Sequence, residues 1–227
     1  MSSVPRTILL SVVLAACCQA AYITVSMAGL RTFGREDLIG GAAFPTGSQV
    51  FDGVPFELGS SAADGWAWNA NNATGANPRI LEISVGVFGV DSVYTLMSTF
   101  WGSSQPSRAQ IEFVGSDDGH WIYDLWGNDD IRDYNNGVFT NTIQAPTVQV
   151  QSNASQRIDR QYFDLPATFL DETLVTIRLI DNGDTNVQRL FLSGLTVDQQ
   201  EAVPEPATAL LLAGGLLAAA SRRRRRG

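Results

Sequence analysis

The chain contains no lysine and a single histidine, His120, and its only two cysteines are adjacent, Cys17 and Cys18. Both cysteines fall in or at the edge of an apolar stretch near the start, so the rest of the sequence offers no disulfide, no thiolate metal ligand and no cysteine nucleophile. One histidine excludes a multi-histidine zinc or iron centre, and a Ser-His-Asp triad would have to use it. No Gly-x-Ser-x-Gly elbow accompanies it, and Gly40-Gly41 lacks the Lys-Ser/Thr that follows in a phosphate-cradling loop. Basic charge is scarce where it would matter. Of 15 arginines, Arg6 and Arg222 to Arg226 lie at the two ends, which leaves nine against 22 acids once Glu205 is set aside with the C-terminal motif, a net of about −13. Such a surface repels nucleic acid and anionic lipid and suits a neutral or cationic ligand, divalent cations or plain solubility.

The ends carry an address. Arg6 supplies a positive start, Thr7 to Ala16 an apolar run, and Cys18-Gln19-Ala20 a small-x-Ala pattern at which signal peptidase would release a chain beginning at Ala21. Residues 1–20 therefore read as a signal peptide. Leu14-Ala15-Ala16-Cys17 also resembles a lipobox, in which Cys17 would be lipidated. At the other end stand Val203, Pro204, Glu205 and Pro206, an uncharged run from Ala207 to Ser221, and the basic stop Arg222, Arg223, Arg224, Arg225 and Arg226. The prolines keep the chain extended before the span and leave Glu205 accessible. As a helix the fifteen residues from Ala207 to Ser221 rise only about 22 Å against a hydrocarbon core of about 30 Å. This favours a short transmembrane sorting helix over a permanent anchor. The arginines hold its tip on the cytoplasmic side of the inner membrane. Residues 203–227 resemble the PEP-CTERM sorting signal of bacteria. The resemblance implies processing by an exosortase and delivery to the outer cell surface or an extracellular exopolysaccharide matrix.

Between the ends the sequence reads as one all-β domain. Leu81 to Val87 and Val175 to Leu179 alternate apolar with polar or small residues, so each has one buried face. Further strands are expected at Tyr22 to Met27, Val54 to Leu58, Ser92 to Trp101, Ala109 to Val114, Trp121 to Trp126, Gly137 to Ile143, Thr147 to Gln151, Ile158 to Leu165 and Arg189 to Val197. Turn clusters such as Asp117-Asp118-Gly119 and Asn135-Asn136-Gly137 separate them. No long stretch has a helical period, so a β-sandwich over residues 51–202 is the natural way to bury these faces. Residues 21–50 form its lead-in, and the Gly/Ala-rich part from 29 onward reads as irregular.

A second resemblance rests on Phe51-Asp52-Gly53-Val54-Pro55-Phe56, on Val93 to Gly102, on Ile111 to Gly119 and on Gly127 to Arg132. These are similar to the galactose-binding-like jelly roll, in particular to carbohydrate-binding modules found beside glycoside hydrolases. The resemblance implies a jelly-roll sandwich and a glycan ligand; the departure from the family's pattern is that no hydrolase accompanies the module here.

All five tryptophans lie between Trp66 and Trp126. Sugar sites stack a pyranose face on an aromatic ring, whereas core packing also favours aromatics in strands. Trp101 and Trp126, inside strand patterns, are expected in the core; Trp66 and Trp68, beside an Asn- and Gly-rich loop, are the candidate exposed platform. A second polar concentration runs from Asp117 to Gly137. Its carboxylates Asp117, Asp118, Asp129 and Asp130 are candidate ligands for Ca²⁺, which takes six to eight oxygens, although Asx and Gly are also ordinary turn chemistry. Arg132 and Tyr134 are candidate ligand-binding residues, with Arg132 equally able to neutralise Asp130 or Asp133. Three functions follow in order: a non-catalytic carbohydrate-binding surface protein, a self-associating structural protein, and a polysaccharide-modifying enzyme.

Overall fold

Alternation of apolar and polar side chains builds two sheets in the computed structural model, which describes residues 21–26, 30, 45–59, 78–100, 109–135, 141–152, 156–182 and 189–200. Its strands are β1 (Ala21–Thr24), β2 (Ser48–Phe51), β3 (Val54–Glu57), β4 (Arg79–Phe88), β5 (Val90–Phe100), β6 (Ala109–Gly115), β7 (His120–Leu125), β8 (Val148–Ser152), β9 (Arg157–Asp164), β10 (Thr173–Asp181) and β11 (Arg189–Gln199). A five-stranded sheet runs β1-β11-β5-β9-β8 and a four-stranded sheet β4-β10-β6-β7. Every pairing within them is antiparallel. These strands belong to one compact unit, Ala20–Gln200.

The two sheets close on a shared apolar core. Leu81 and Ile83 of β4, Ile111 and Phe113 of β6, and Ile177 and Leu179 of β10 meet Val93 and Met97 of β5, Phe163 of β9 and Leu195 and Val197 of β11. Glu82, Ser84, Glu112 and Arg178 take the other face of the four-stranded sheet, as a period of two demands. Bulges adjust the phase. A register shift between Leu174 and Thr176 lets Leu174 and Ile177 both point inward and leaves Val175 exposed at the surface. A second shift, between Leu192 and Gly194, brings Leu190 and Leu192 into the core together with Leu195 and Val197. The chain passes from one sheet to the other at Gly89, whose φ of +70° suits glycine. Its N–H donates to the Glu172 carbonyl at 3.0 Å and its carbonyl accepts from the Gln200 N–H at 2.9 Å.

The hairpin β2-β3 adds a third layer. Phe51, Val54, Phe56 and Leu58 pack on Leu96 and Ile158 from the outer side of the five-stranded sheet, a satellite core in which Phe56 is fully buried. Gly194 makes room for it, since a Cβ there would stand 3.1 Å from Leu58 and Phe56.

Three expectations need correction. Ser48 to Val50, read as the end of an irregular lead-in, belong to the strand Ser48–Phe51, which pairs with Val54–Glu57. Residues 141–143, expected to finish a strand begun at Gly137, have no regular structure, and Gly137 itself lies outside the described residues. Trp126, expected in the core, is 48% exposed. Trp121, Tyr123 and Leu125 already take the inward positions of β7, so the next residue must face out. The segments expected to form a signal peptide and a sorting helix lie outside the described residues, among which no helix is long and apolar enough to cross a membrane.

Candidate functional site

Beside the hairpin, the outer face of the five-stranded sheet carries three tyrosines from three strands. Register places Tyr94 of β5 opposite Tyr162 of β9, and Tyr22 of β1 opposite Asp198 of β11. Tyr22 and Tyr94 meet edge to face with centroids 5.8 Å apart, and Tyr94 and Tyr162 meet at 5.2 Å with planes tilted by 48°. Tyr22 is 40% exposed, and the other two rings are half-buried. The carbon of the Arg160 guanidinium stands 5.3 Å from the Tyr94 centroid, and Arg160 Nη2 donates to Asp52 Oδ2 at 3.0 Å in the turn of the hairpin. Tyr94 is therefore held by the satellite core beside it and by Arg160, which the ion pair with Asp52 fixes in place.

Carboxylates border the rings. Asp198 is flanked by Tyr22 on one side and Ser92 on the other, and Ser92 in turn faces Asp164. Asp198 is 8% exposed, and among the described residues its Oδ1 is buried without a hydrogen-bond partner. Burial pushes its carboxyl above the usual range, helped by nearby Asp91. The Tyr22 phenol is raised by burial and then by Tyr94 and Asp198. Tyr162 is raised by burial and then by Asp164, Tyr94 and Asp91. Both phenols thus stay protonated and can donate hydrogen bonds. Aromatic faces for apolar contact beside acceptors and donors for hydroxyls make a surface suited to a polar ligand with an apolar face.

Those residues singled out from the sequence that the structure describes do not assemble into one site. Trp66, Trp68 and Trp101 lie outside the described residues. Arg132 is held elsewhere: its Nε and Nη2 donate to Asp159 Oδ2 and Oδ1, both at 2.6 Å, and further bonds run to Gln149 Oε1 and the Asn141 carbonyl. Its partner is thus Asp159, fully buried, rather than Asp130 or Asp133, and its role is to tie the loop after β7 to β8 and β9. Tyr134 is 8% exposed and packs edge-on against Phe191 at 5.7 Å, so it offers no open platform.

The four candidate calcium ligands are divided between the two ends of β7. Asp117 and Asp118 sit in the turn before it and Asp129 and Asp130 in the loop after it, roughly 20 Å apart along an extended strand. Asp130 accepts from the Trp126 N–H at 2.9 Å and the Tyr123 hydroxyl at 3.1 Å, and Asp129 accepts from Gln144 Nε2 at 2.6 Å. Among the described residues no three His, Cys, Asp or Glu side chains are grouped to hold a metal ion. His120 stands 2.7 Å from Glu112 Oε1, and Arg178 bridges Glu112 at 3.2 Å and Glu82 at 2.8 Å. This is a charged ladder across the outer face of the four-stranded sheet.

Beyond β11 the deciding observation lies in the sequence. Residues 202–226 match the PEP-CTERM protein-sorting motif. The chain therefore carries a sorting tail. No curated protein matches the chain. Among solved structures, Caldicellulosiruptor saccharolyticus CBM27-1, crystallised in complex with mannohexaose, aligns over 81% of this chain and 100% of its own, with 11% identity and a TM-score of 0.38.

The tyrosine face escaped the sequence reading because no local signal marks it. Tyr22, Tyr94 and Tyr162 each stand alone in their strands, and only the sheet order brings them together.

Proposed function

We propose that this chain is exported, processed at its C-terminal tail by an exosortase and left at the outer surface or in the extracellular matrix, where its body binds carbohydrate without catalysing a reaction. The observation that carries the address is the sorting motif at residues 202–226. The observation that carries the binding is the row of three tyrosines with carboxylates beside it. A jelly-roll reading of the body is supported by its strand order, in which β1-β11-β5-β9 lies against β4-β10-β6-β7. Trp66 and Trp68, between β3 and β4, remain candidate contributors to the ligand surface.

Affinity electrophoresis of the full chain through gels containing the host's exopolysaccharide tests the binding. Retardation of the wild type and its loss in Tyr94→Ala, at an unchanged fold by circular dichroism, is the expected pair of results; retardation that survives Tyr94→Ala removes this face from the reading. For the address, Glu205→Ala should leave full-length protein in the inner membrane, and normal secretion of that variant would contradict exosortase processing.

Self-association is the second reading. It is favoured by Ile80, Ile122 and Val175, large apolar residues exposed on the four-stranded sheet. Light scattering that rises with protein concentration in the absence of glycan would support it.

A further inference from the structure

Resting on the carbohydrate-binding reading of the tyrosine face, we infer that its ligand is a glycan bearing free amino groups, such as a polymer containing unacetylated glucosamine. The argument begins with Asp198. A buried carboxylate without a partner is costly, because the water it gave up is not replaced. Asp198 Oδ1 is in that condition among the described residues, on the same face as Tyr94 and next to the exposed ring of Tyr22. An ammonium group supplies what is missing, since it brings positive charge and three donors at once.

The surroundings match. Asp164 lies one strand beyond Ser92 from Asp198, about 10 Å away at the usual strand spacing, and Asp91 adds negative charge near both Asp198 and Tyr162. Among the described residues the cation of this face is Arg160, which pairs through Nη2 with Asp52 and lies against the Tyr94 ring. Acid therefore dominates the border of an aromatic platform. A neutral sugar would leave this charge unanswered, and a uronate or sulfated glycan would be repelled by it. An amino sugar lays its ring on the tyrosines and places its ammonium between the carboxylates.

The test compares a β-1,4-glucosamine hexamer with the N-acetylglucosamine hexamer of the same length, using the full chain purified in mild detergent and calorimetry at mildly acidic pH. The amine hexamer is expected to bind at least about tenfold more tightly, with the difference fading at high salt. Asp198→Asn and Asp164→Asn should each erase much of that preference, whereas Tyr94→Ala should weaken both ligands. Asp118→Asn, in the turn before β7, controls for general attraction between an acidic protein and a polycation, and an equal effect from it overturns the inference. So does preference for the acetylated hexamer, or a preference that survives Asp198→Asn; in either case the carbohydrate-binding reading stands with a different glycan. Failure of both hexamers and of the host exopolysaccharide to bind removes that reading and the inference with it.

Discussion

Replacing Arg132 by alanine should damage the fold and not merely a ligand surface. The Arg132 side chain is 9% exposed and its carboxylate partner is fully buried, with two parallel bonds of 2.6 Å between them. Truncation strands the Asp159 charge in a site closed to water, a change that typically costs about 3–5 kcal/mol. Two details set the expected value at the lower end of that range. Arg157, also buried, is close enough to interact with Asp159 and Arg132, so part of the positive field survives. The small alanine also lets some water reach the carboxylate. Against this, the bonds to Gln149 and the Asn141 carbonyl are lost as well. A loss of about 3 kcal/mol in a body of this size lowers the melting temperature by roughly 6–12 °C, which differential scanning calorimetry reads directly. The pair Arg132→Met with Asp159→Leu should recover most of the loss, because removing both charges removes the desolvation penalty. An Arg132→Ala protein of wild-type stability that has lost glycan binding would refute the reasoning and restore Arg132 to the ligand surface. A double variant no better than the single one would refute its energetic part.

Two further outcomes follow from the acidic groups. Because burial raises the Asp198 pKa, the ionised form is disfavoured in the fold: its penalty is absent below the unfolded value and develops as pH rises through the raised one. Asp198→Asn should therefore stabilise the protein at neutral pH by about 1 kcal/mol, or roughly 2–4 °C, and an unchanged or lower melting temperature would contradict the burial argument. For Glu112, burial alone would raise the carboxyl, but hydrogen bonds from His120 and Arg178 together hold it below the usual glutamate value. Its stabilisation is complete above the ordinary value and disappears as pH falls through the lowered one. Glu112→Gln should flatten stability against pH in that acid window, and an identical slope in both proteins would count against the charged ladder.

The strands were readable from the sequence wherever one face met the core and the other met water. β4, β6 and β10 show this plainly, as Leu81, Ile83, Ile111, Phe113, Ile177 and Leu179 all lie in the shared core. Reading failed where packing had a different partner. Ser48–Phe51 is only four residues long, and its one buried side chain, Phe51, turns toward a satellite core that exists because β3 folds back beside it. Residues 141–143 look β-prone, yet Thr142 Oγ1 donates to the Asn128 carbonyl at 3.0 Å and commits the segment to the loop. The candidate face was not legible at all, because Arg132 finds Asp159 across 27 positions and Asp198 meets Tyr22 across most of the chain. Pairings that distant follow from sheet order, which local alternation does not encode.

The pairing of β1 with β11 also sets a schedule. A chain translocated from its N-terminus delivers Tyr22 outside the membrane first and Asp198 nearly last, so the two cannot meet until almost all of Ala21–Gln199 has crossed. Until then β1 has no neighbour in its sheet, and the long span between the paired strands makes this a slow closure. The face that joins Tyr22, Tyr94 and Asp198 consequently comes into being only at the end of transit.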